Sequence, residues 1–575
     1  MTTLQQLLEE GVAAAVAQTL DLPADDVDPL VRPATDERFG HYQSNVAMSL
    51  AKRVGRKPRE IAEAVAQELR GRPELEQVEV AGPGFINLTL SAAAISDSAA
   101  TMLAEGGHGI SPADPPQTVV IDLAGPNLAK EMHVGHLRST IIGDSLARTL
   151  DALGHRVIRQ NHVGDWGTQF GMLLEHLLDS GWAASDDQTI GDLNVLYQQA
   201  KQRDDADAEF AKRARQRVVQ LQAGEPEARR VWQELIDESV RHMDLVFDRL
   251  NVKLTREDLK PESAYNAALE PTVEALREAG VARESDGALC VFTDKHEHPL
   301  VIRKSDGGFG YPATDLAAVQ YRAQQLDADR LVYVVDARQR DHFEKVFDTA
   351  KRMGWIGEDL PAEHVAFGTI LGPDRRPFKT REGTAVRLTD VLDEAVKRAD
   401  AAIAQKNPDL PADARAGVAE AVGIGAVKYA DLSNDRIKDY VFDYDRMLAL
   451  EGNTAPYLQY SYTRIRGIFR KGGVSMDSVE PASLRVEAAE EVRLALLLLR
   501  TPEVIEAVGE SLQPHRLCNH LYDTATAYHK FYERCPVLTA ASDEQRQSRL
   551  ALCALTAKTI DMGLGLLGIR VVQRM

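Results

Sequence analysis

The residues best suited to chemistry cluster in Lys130-Glu131-Met132-His133-Val134-Gly135-His136-Leu137-Arg138. An apolar run, Val119 to Leu123, and a breaker cluster, Gly125-Pro126-Asn127, precede this stretch. An apolar run with helical character, Ile141 to Leu150, follows it. Two histidines three apart therefore stand on one face near the start of a predicted helix, just past a strand end. A helix N-terminus offers free N–H groups and positive potential to an anion. Imidazoles placed there suit a phosphate, and Gly135 leaves room for a flat ring. The combination suggests a nucleotide that undergoes chemistry. Taken alone, His133 and His136 fit surface residues or part of a metal site equally well, so the neighbouring segments must decide.

Asp122, Gly125, Pro126 and Asn127 lie where an open α/β sheet presents groups to its ligand. A turn beside a strand-edge charge explains the same residues. Gln160 to Gly171 follows a second apolar run, and its three glycines permit a tight loop near a ligand, with Trp166 read as core. Gly310-Tyr311-Pro312-Ala313-Thr314-Asp315 opens a helix, where Thr314 or Asp315 could serve only as the N-cap. A guanidinium ligand requires one or two planar carboxylates and a further acceptor. Asp122, Asp315 and the Tyr311 hydroxyl form such a set if they converge. Gln339, in the Tyr333–His342 segment, could meet the polar head of an amino acid or be an ordinary loop residue. The stretch Arg376 to Gly383 carries Lys379, Thr380 and Arg381. It could close over phosphates as a phosphoanhydride breaks, or be a solvated basic loop.

These groups need a scaffold. A length of 575 residues suggests roughly three or four domains. Residues 1–112 read as an α+β module, with helices over Leu4–Leu20, through Ala51 and over Pro58–Leu69, and a strand at Val78–Val80. A Pro-rich linker follows at Ser111–Pro116. Residues 113–390 alternate in the α/β manner, with strands expected at Thr118–Leu123, Arg156–Asn161, Arg330–Val335 and His364–Thr369. They predict a parallel, doubly wound sheet. An insertion at about 184–302 interrupts it. Residues 391–575 read as almost wholly helical, a bundle.

Composition removes several function classes. A net charge of −20 argues against a protein that coats nucleic acid nonspecifically, although local basic patches can still meet RNA phosphates. The longest apolar clusters, such as Leu494–Leu499, are far too short to span a bilayer, and the N-terminus lacks the basic start of a signal peptide. The four cysteines (Cys290, Cys518, Cys535 and Cys553) show no C-x-x-C pairing. That argues against a zinc site or a disulfide scaffold and fits a reducing cytoplasm.

Taken together the segments resemble a class I aminoacyl-tRNA synthetase, specifically the arginyl-tRNA synthetase family, over essentially the whole chain. The HVGH tetrad resembles the class signature HIGH, within "PNLAKEMHVGHLRSTIIG" (Pro126 to Gly143). "AGPGFINL", "VGDWGTQFG", "GNTAPYLQY" and the terminal "GLGLLGIRVVQRM" are also similar to the family. The resemblance implies a Rossmann-like catalytic domain with an inserted subdomain, an N-terminal tRNA-elbow-binding domain and a C-terminal all-α anticodon-binding bundle of the DALR type. It implies ATP with Mg²⁺, L-arginine and tRNA(Arg) as partners, no protein-held metal, no membrane, and a cytoplasmic monomer. It also implies that activation itself needs tRNA.

Residue by residue, the resemblance gives His133, Gly135 and His136 to ATP and its transition state. The class's second signature, KMSKS, is absent as such, and "PFKTREG" (Pro377 to Gly383) stands in its place. Lys379, with Thr380 and Arg381, carries part of that role, and Lys130 substitutes for the missing lysine. Asn127 and Gln339 hold the amino and carboxylate end of arginine, and Asp122, Tyr311 and Asp315 hold its guanidinium. Phe39, Tyr42, Gln43 and Asn45 face an unpaired elbow base, although core aromatics and a helix cap account for the same residues. Tyr457, Gln459, Tyr460, Tyr462, Arg464 and Arg466 face the anticodon, although helix packing explains some of the tyrosines. The chain departs from the family at Ala124 and Gly125, where serine is frequent at one or both positions. A hydroxyl contact is lost there, or replaced by backbone or water. Two rivals make different demands. A cysteine-specific class I enzyme would need a zinc site that the cysteine spacing does not support. A non-catalytic RNA-binding paralogue would be expected to have lost the histidines or the activation loop.

Overall fold

The structure is a computed structural model that describes residues 3–181, 190–378 and 386–575. Val119, Val120 and Ile121 are apolar on both faces of their strand, which therefore belongs inside a covered sheet. Thr118–Asp122 is indeed an inner strand of a four-stranded parallel sheet, flanked by Arg156–Gln160 on one side and Arg330–Tyr333, then Ala362–His364, on the other. The register sets Asp122 level with Gln160 and Tyr333. The loops that leave these three strands consequently emerge side by side at the carboxyl edge, where an open α/β sheet binds its ligands.

The fourth strand differs from its expected place at His364–Thr369. It spans Ala362–His364, and the chain then leaves the sheet. The Gly368 N–H bonds to the Arg436 carbonyl, and Ile370–Leu371 pairs in parallel with Tyr440–Val441 of the following helical region. A partner distant in sequence thus captures the second half of the apolar run. The other predicted strands are found with small end shifts, and the N-terminal strand is longer, Leu75–Ala81.

The Val134–Ala152 helix packs directly behind the sheet. Leu137, Ile141, Ile142, Leu146 and Leu150 are buried, and so are the charged Arg138 and Asp144. A helix buried all round lies inside a protein, not on its surface. Close packing requires Gly143: a Cβ there would fall 2.4 Å from the Leu123 Cβ. Arg138 is neutralised by Asp431 at 3.1 Å, which ties this helix to the Ala412–Leu432 helix. Lys428 on that same helix donates to the carbonyls of Leu250 (2.6 Å) and Gly568 (2.8 Å).

Between the second and third sheet strands lie the helices Thr168–Ser180, Ile190–Ala206, Ala208–Gln222, Pro226–Arg249 and Asn266–Glu278. A three-stranded antiparallel sheet, Ala282–Ser285, Ala288–Val291 and Leu300–Arg303, follows them. The N-terminal module is a four-stranded antiparallel sheet covered by Leu4–Leu20, Val46–Val54 and Pro58–Leu69, and the helix that follows it, Ala92–Ala104, packs against Ala489–Leu499 and Asp543–Leu566. From Leu388 onward the described chain is helical apart from Tyr440–Val441 and short turns. Among the described residues no helix is long and apolar enough to cross a membrane.

Candidate active site

His133 is the N-cap of the Val134–Ala152 helix, and its Nδ1 accepts from the Gly135 N–H at 3.0 Å. His136 Nδ1 accepts from the His133 N–H at 3.1 Å. The two rings lie with centroids 4.0 Å apart. A ring nitrogen that accepts carries no proton, so each neutral imidazole keeps its proton on Nε2 as a donor. Burial, and then the neighbouring His133, push His136 down to about 3. Burial, followed by the charges of Lys130 and Arg338, lowers His133 as well. Both rings are therefore neutral donors at physiological pH.

One expectation needs correction. The first-turn N–H groups are not free for an anion: Val134 donates to the Val386 carbonyl, Gly135 to His133 Nδ1 and His136 to the His133 carbonyl. The two Nε2–H groups and the helix dipole remain for a phosphate. Arg338, whose guanidinium is held by Asp336 at 2.7 Å, adds positive potential that the sequence did not single out.

The loop from Leu123 to Met132 is held from three sides. The Ala124 N–H donates to Ser139 Oγ (3.0 Å), which donates on to the Val334 carbonyl (2.6 Å). The Gly125 N–H donates to Asn161 Oδ1 at 3.0 Å. Ala124 sits at φ 67°, a left-handed conformation that costs a non-glycine residue about 1 kcal/mol or more. Thus the Ser139 and Asn161 side chains anchor the backbone at Ala124 and Gly125. Exposed Asn127 packs its Oδ1 over Gly164, where a Cβ would come within 2.2 Å.

The carboxylate set predicted for a guanidinium is rearranged. Asp315 and Tyr311 stand one turn apart at the start of the Tyr311–Gln324 helix. His342 Nε2 lies 2.6 Å from Asp315 Oδ2, and the His342 ring lies 4.5 Å from that of Tyr311. Asp122, by contrast, pairs with the buried Arg322 at 2.8 Å, and Arg322 Nε also donates to Gln160 Oε1 at 2.7 Å. An internal guanidinium thus already neutralises Asp122, which is not left as an unpaired carboxylate for a substrate as the sequence suggested.

Glu262, which sequence reasoning missed, stands near enough to Asp315 for the two charges to act on each other. Burial, then the charges of Asp315 and Asp165, raise it to about 7. Asp165 itself accepts from the Ser263 N–H at 2.9 Å. Among the described residues Glu262 has no ion-pair partner, so this corner carries uncompensated negative potential of the kind a bound cation relieves. The backbone brings it there: Lys260 N–H bonds to the Asn161 carbonyl and Glu262 N–H to that of Val163. No local motif in "LKPESAY" announces this, because the pairing spans about a hundred residues of chain.

Lys130 lies beside His133, with its ammonium 4.4 Å from the centre of the Tyr197 ring. Gln339 is exposed and ends the turn after the third strand, on the same carboxyl edge. Lys379, Thr380 and Arg381 lie outside the described residues. Among the described residues no group of three or more His, Cys, Asp or Glu could hold a metal ion.

The two expected RNA surfaces separate into exposed and buried members. Tyr42 is 1% exposed and belongs to the N-terminal core, so it cannot stack on a base. Gln459 is fully buried and donates to the carbonyls of Ala421 (3.1 Å) and Arg570 (2.7 Å), a structural role. Phe39 is exposed, Gln43 donates to Asn87 Oδ1 at 2.7 Å, and the Asn45 Oδ1 is buried without a hydrogen-bond partner among the described residues. In the bundle Tyr460 is exposed, Tyr457 packs 5.2 Å from His529, and Arg464 lies 4.2 Å over Tyr532 and 3.1 Å from His529. Tyr462 is buried, with the core.

Three family models match successive parts of the chain. Arginyl tRNA synthetase N terminal domain matches residues 6–90, tRNA synthetases class I (R), catalytic domain matches 99–444, and DALR anticodon binding domain matches 458–575. The chain is 49% identical over 579 residues to an arginine–tRNA ligase of Stutzerimonas stutzeri, covering all of this chain and 97% of that one. It is 48% identical over 582 residues to an arginine–tRNA ligase of Thermobifida fusca, covering both completely. Among solved structures, arginyl-tRNA synthetases of Plasmodium falciparum (29% identical) and Thermus thermophilus (25% identical) superpose over the full length of both chains, each with a TM-score of 0.83. A catalytic-domain match over more than half the chain, two full-length relatives near one-half identity and the paired histidines at the carboxyl edge of a parallel sheet agree: this chain belongs to the arginyl-tRNA synthetase family of class I.

Proposed function

We propose that this protein is an arginine–tRNA ligase. It activates L-arginine with ATP and transfers the arginyl group to the 3′ end of tRNA(Arg). The observation that carries the reading is the placement of two neutral imidazole donors and the Asp315–Glu262 corner at one end of one sheet. The first can stabilise a phosphate, and the second can select a guanidinium.

In the first step a carboxylate oxygen of arginine attacks the α-phosphorus of ATP in line. The bond to the β-phosphate oxygen breaks, and pyrophosphate leaves. The Nε2–H groups of His133 and His136 stabilise the charge that builds on the α-phosphoryl oxygens, an effect of preorganised donors. Gly135 admits the nucleotide, and Lys130 adds positive charge beside His133. By sequence alone, Lys379, Thr380 and Arg381 close over the phosphates. Asn127 and Gln339 orient the amino-acid head, and Tyr311, Asp315 and Glu262 bind the guanidinium. Mg²⁺ enters with ATP and is held by phosphate oxygens and water.

In the second step a ribose hydroxyl of the terminal adenosine attacks the arginyl carbonyl carbon. The bond to the AMP phosphate breaks, and AMP leaves with the hydroxyl proton. Among the described residues no side chain in the site is placed as a general base, so positioning and electrostatics supply the rate. Phe39, Gln43 and Asn45 are assigned to the tRNA elbow, and Tyr457, Tyr460, Arg464 and Arg466 to the anticodon. We further infer that activation depends on tRNA and that the enzyme works as a cytoplasmic monomer. The test is charging of tRNA with labelled arginine, together with arginine-dependent ATP–pyrophosphate exchange with and without tRNA. Robust exchange without tRNA would contradict the dependence, and failure to charge would contradict the activity.

A further inference from the structure

The Lys130 ammonium has an aromatic ring as its neighbour. It lies 4.4 Å from the centroid of the Tyr197 ring, on the half-buried face of the inserted Ile190–Ala206 helix. Among the described residues no carboxylate lies within ion-pair distance of Lys130. Glu131, the next residue, is engaged with Arg387 at 3.2 Å. The charge of Lys130 is felt at His133, where it contributes, after burial, to the lowered proton affinity of that ring. The ammonium thus lies over Tyr197 and near enough to His133 for its charge to act there.

An aromatic face attracts an ammonium through its quadrupole but supplies no negative charge. A carboxylate in the same place would neutralise the cation and consume its donors. A lysine held by a ring keeps its full charge and directs its remaining N–H groups elsewhere. The ring also restricts a long, flexible side chain that otherwise samples many rotamers.

We propose that Tyr197 is a positioning residue for the activation step: its ring holds the Lys130 ammonium, without a carboxylate partner, on the side of His133 for the phosphates of ATP. This rests on the reading of Lys130 as a phosphate-binding group. It gives the inserted region a direct part in adenylation, through one residue that touches neither substrate.

The test uses the full-length enzyme in tRNA-supported ATP–pyrophosphate exchange, with the variants Lys130→Ala, Tyr197→Leu, Tyr197→Phe and the Lys130→Ala/Tyr197→Leu double. Tyr197→Leu is expected to lower kcat by roughly three- to thirtyfold with the KM for arginine unchanged. Tyr197→Phe, which keeps the ring face, is expected to restore the parental rate. The double variant is expected to be no slower than Lys130→Ala, because residues that act through one contact are not additive. Parental activity of Tyr197→Leu, a Tyr197→Phe as slow as Tyr197→Leu, or multiplied losses in the double variant would each overturn the proposal. A Lys130→Ala enzyme at the parental rate would instead sink the reading of Lys130 itself. A slow Lys130→Ala beside a fast Tyr197→Leu would remove Tyr197 alone.

Discussion

The Arg322 guanidinium lies 2.8 Å from the Asp122 carboxylate at the carboxyl end of the central sheet, with the Arg322 side chain 1% exposed. The pair places a permanent internal guanidinium where the sequence alone suggested a substrate's. Removing one partner of a buried pair leaves an uncompensated charge, at a cost of about 3–5 kcal/mol. Asp122→Asn is therefore expected to lower the unfolding midpoint substantially. An unchanged midpoint together with a weakened KM for arginine would return Asp122 to the substrate site.

Asp315 is fixed by His342 at one oxygen and leaves the other for a ligand. Asp315→Asn removes one charge-assisted pair, worth about 1.5–3 kcal/mol, roughly a ten- to hundredfold rise in the KM for arginine. Discrimination against citrulline should fall in parallel. Unchanged use of arginine, with citrulline still rejected, would show the assignment to be wrong.

Glu262 carries the pH dependence of this corner. Its affinity for the proton is raised from 4.5 to about 7, so near neutrality a fraction of the protein holds it uncharged. A raised carboxylate favours the folded state below the unfolded value, and this contribution is lost as pH rises through about 7. Cationic arginine prefers the ionised form and must release that proton. Arginine affinity should accordingly rise between pH 6 and pH 8 in titration calorimetry, with proton release on binding, and Glu262→Gln should flatten the profile. A flat profile in the parent protein would contradict it.

His136 is held down to about 3 by burial and His133, so its ring does not charge over the working range. The pH–rate profile of activation should show no step from an imidazole near 6.5 that vanishes in His136→Ala. His136→Ala should depress kcat by about a hundred- to a thousandfold, as for other lost transition-state donors, with little change in tRNA binding. An unaltered turnover would remove His136 from the site.

The part of the site that was legible in the sequence is the part that is contiguous. Strand, breaker loop and helix follow one another from Thr118 to Ala152, so apolar periodicity alone places His133 and His136 at a helix start beside a strand end. The identity of the anion's donors was not legible, because Val386 and His133 itself take up the first-turn N–H groups. Glu262, His342 and Arg322 were hidden for a related reason. Each reaches the carboxyl edge through long-range pairing, from the insertion or from another helix, and carries no local signature. Tyr42 and Gln459 show the opposite failure: aromatic and polar residues beside basic ones read alike whether they meet RNA or bury themselves, and only burial separates the two. The early end of the fourth strand likewise depended on a distant partner, Tyr440–Val441.

The central claim is that the histidine pair and the acidic corner serve one reaction, and transfer of labelled arginine to tRNA measures it most directly. With ATP, Mg²⁺ and tRNA containing the arginine isoacceptors, the purified protein should form acid-precipitable arginyl-tRNA, and the product should disappear without ATP. Absence of charging by the folded protein, or charging with another amino acid in preference to arginine, would contradict the account.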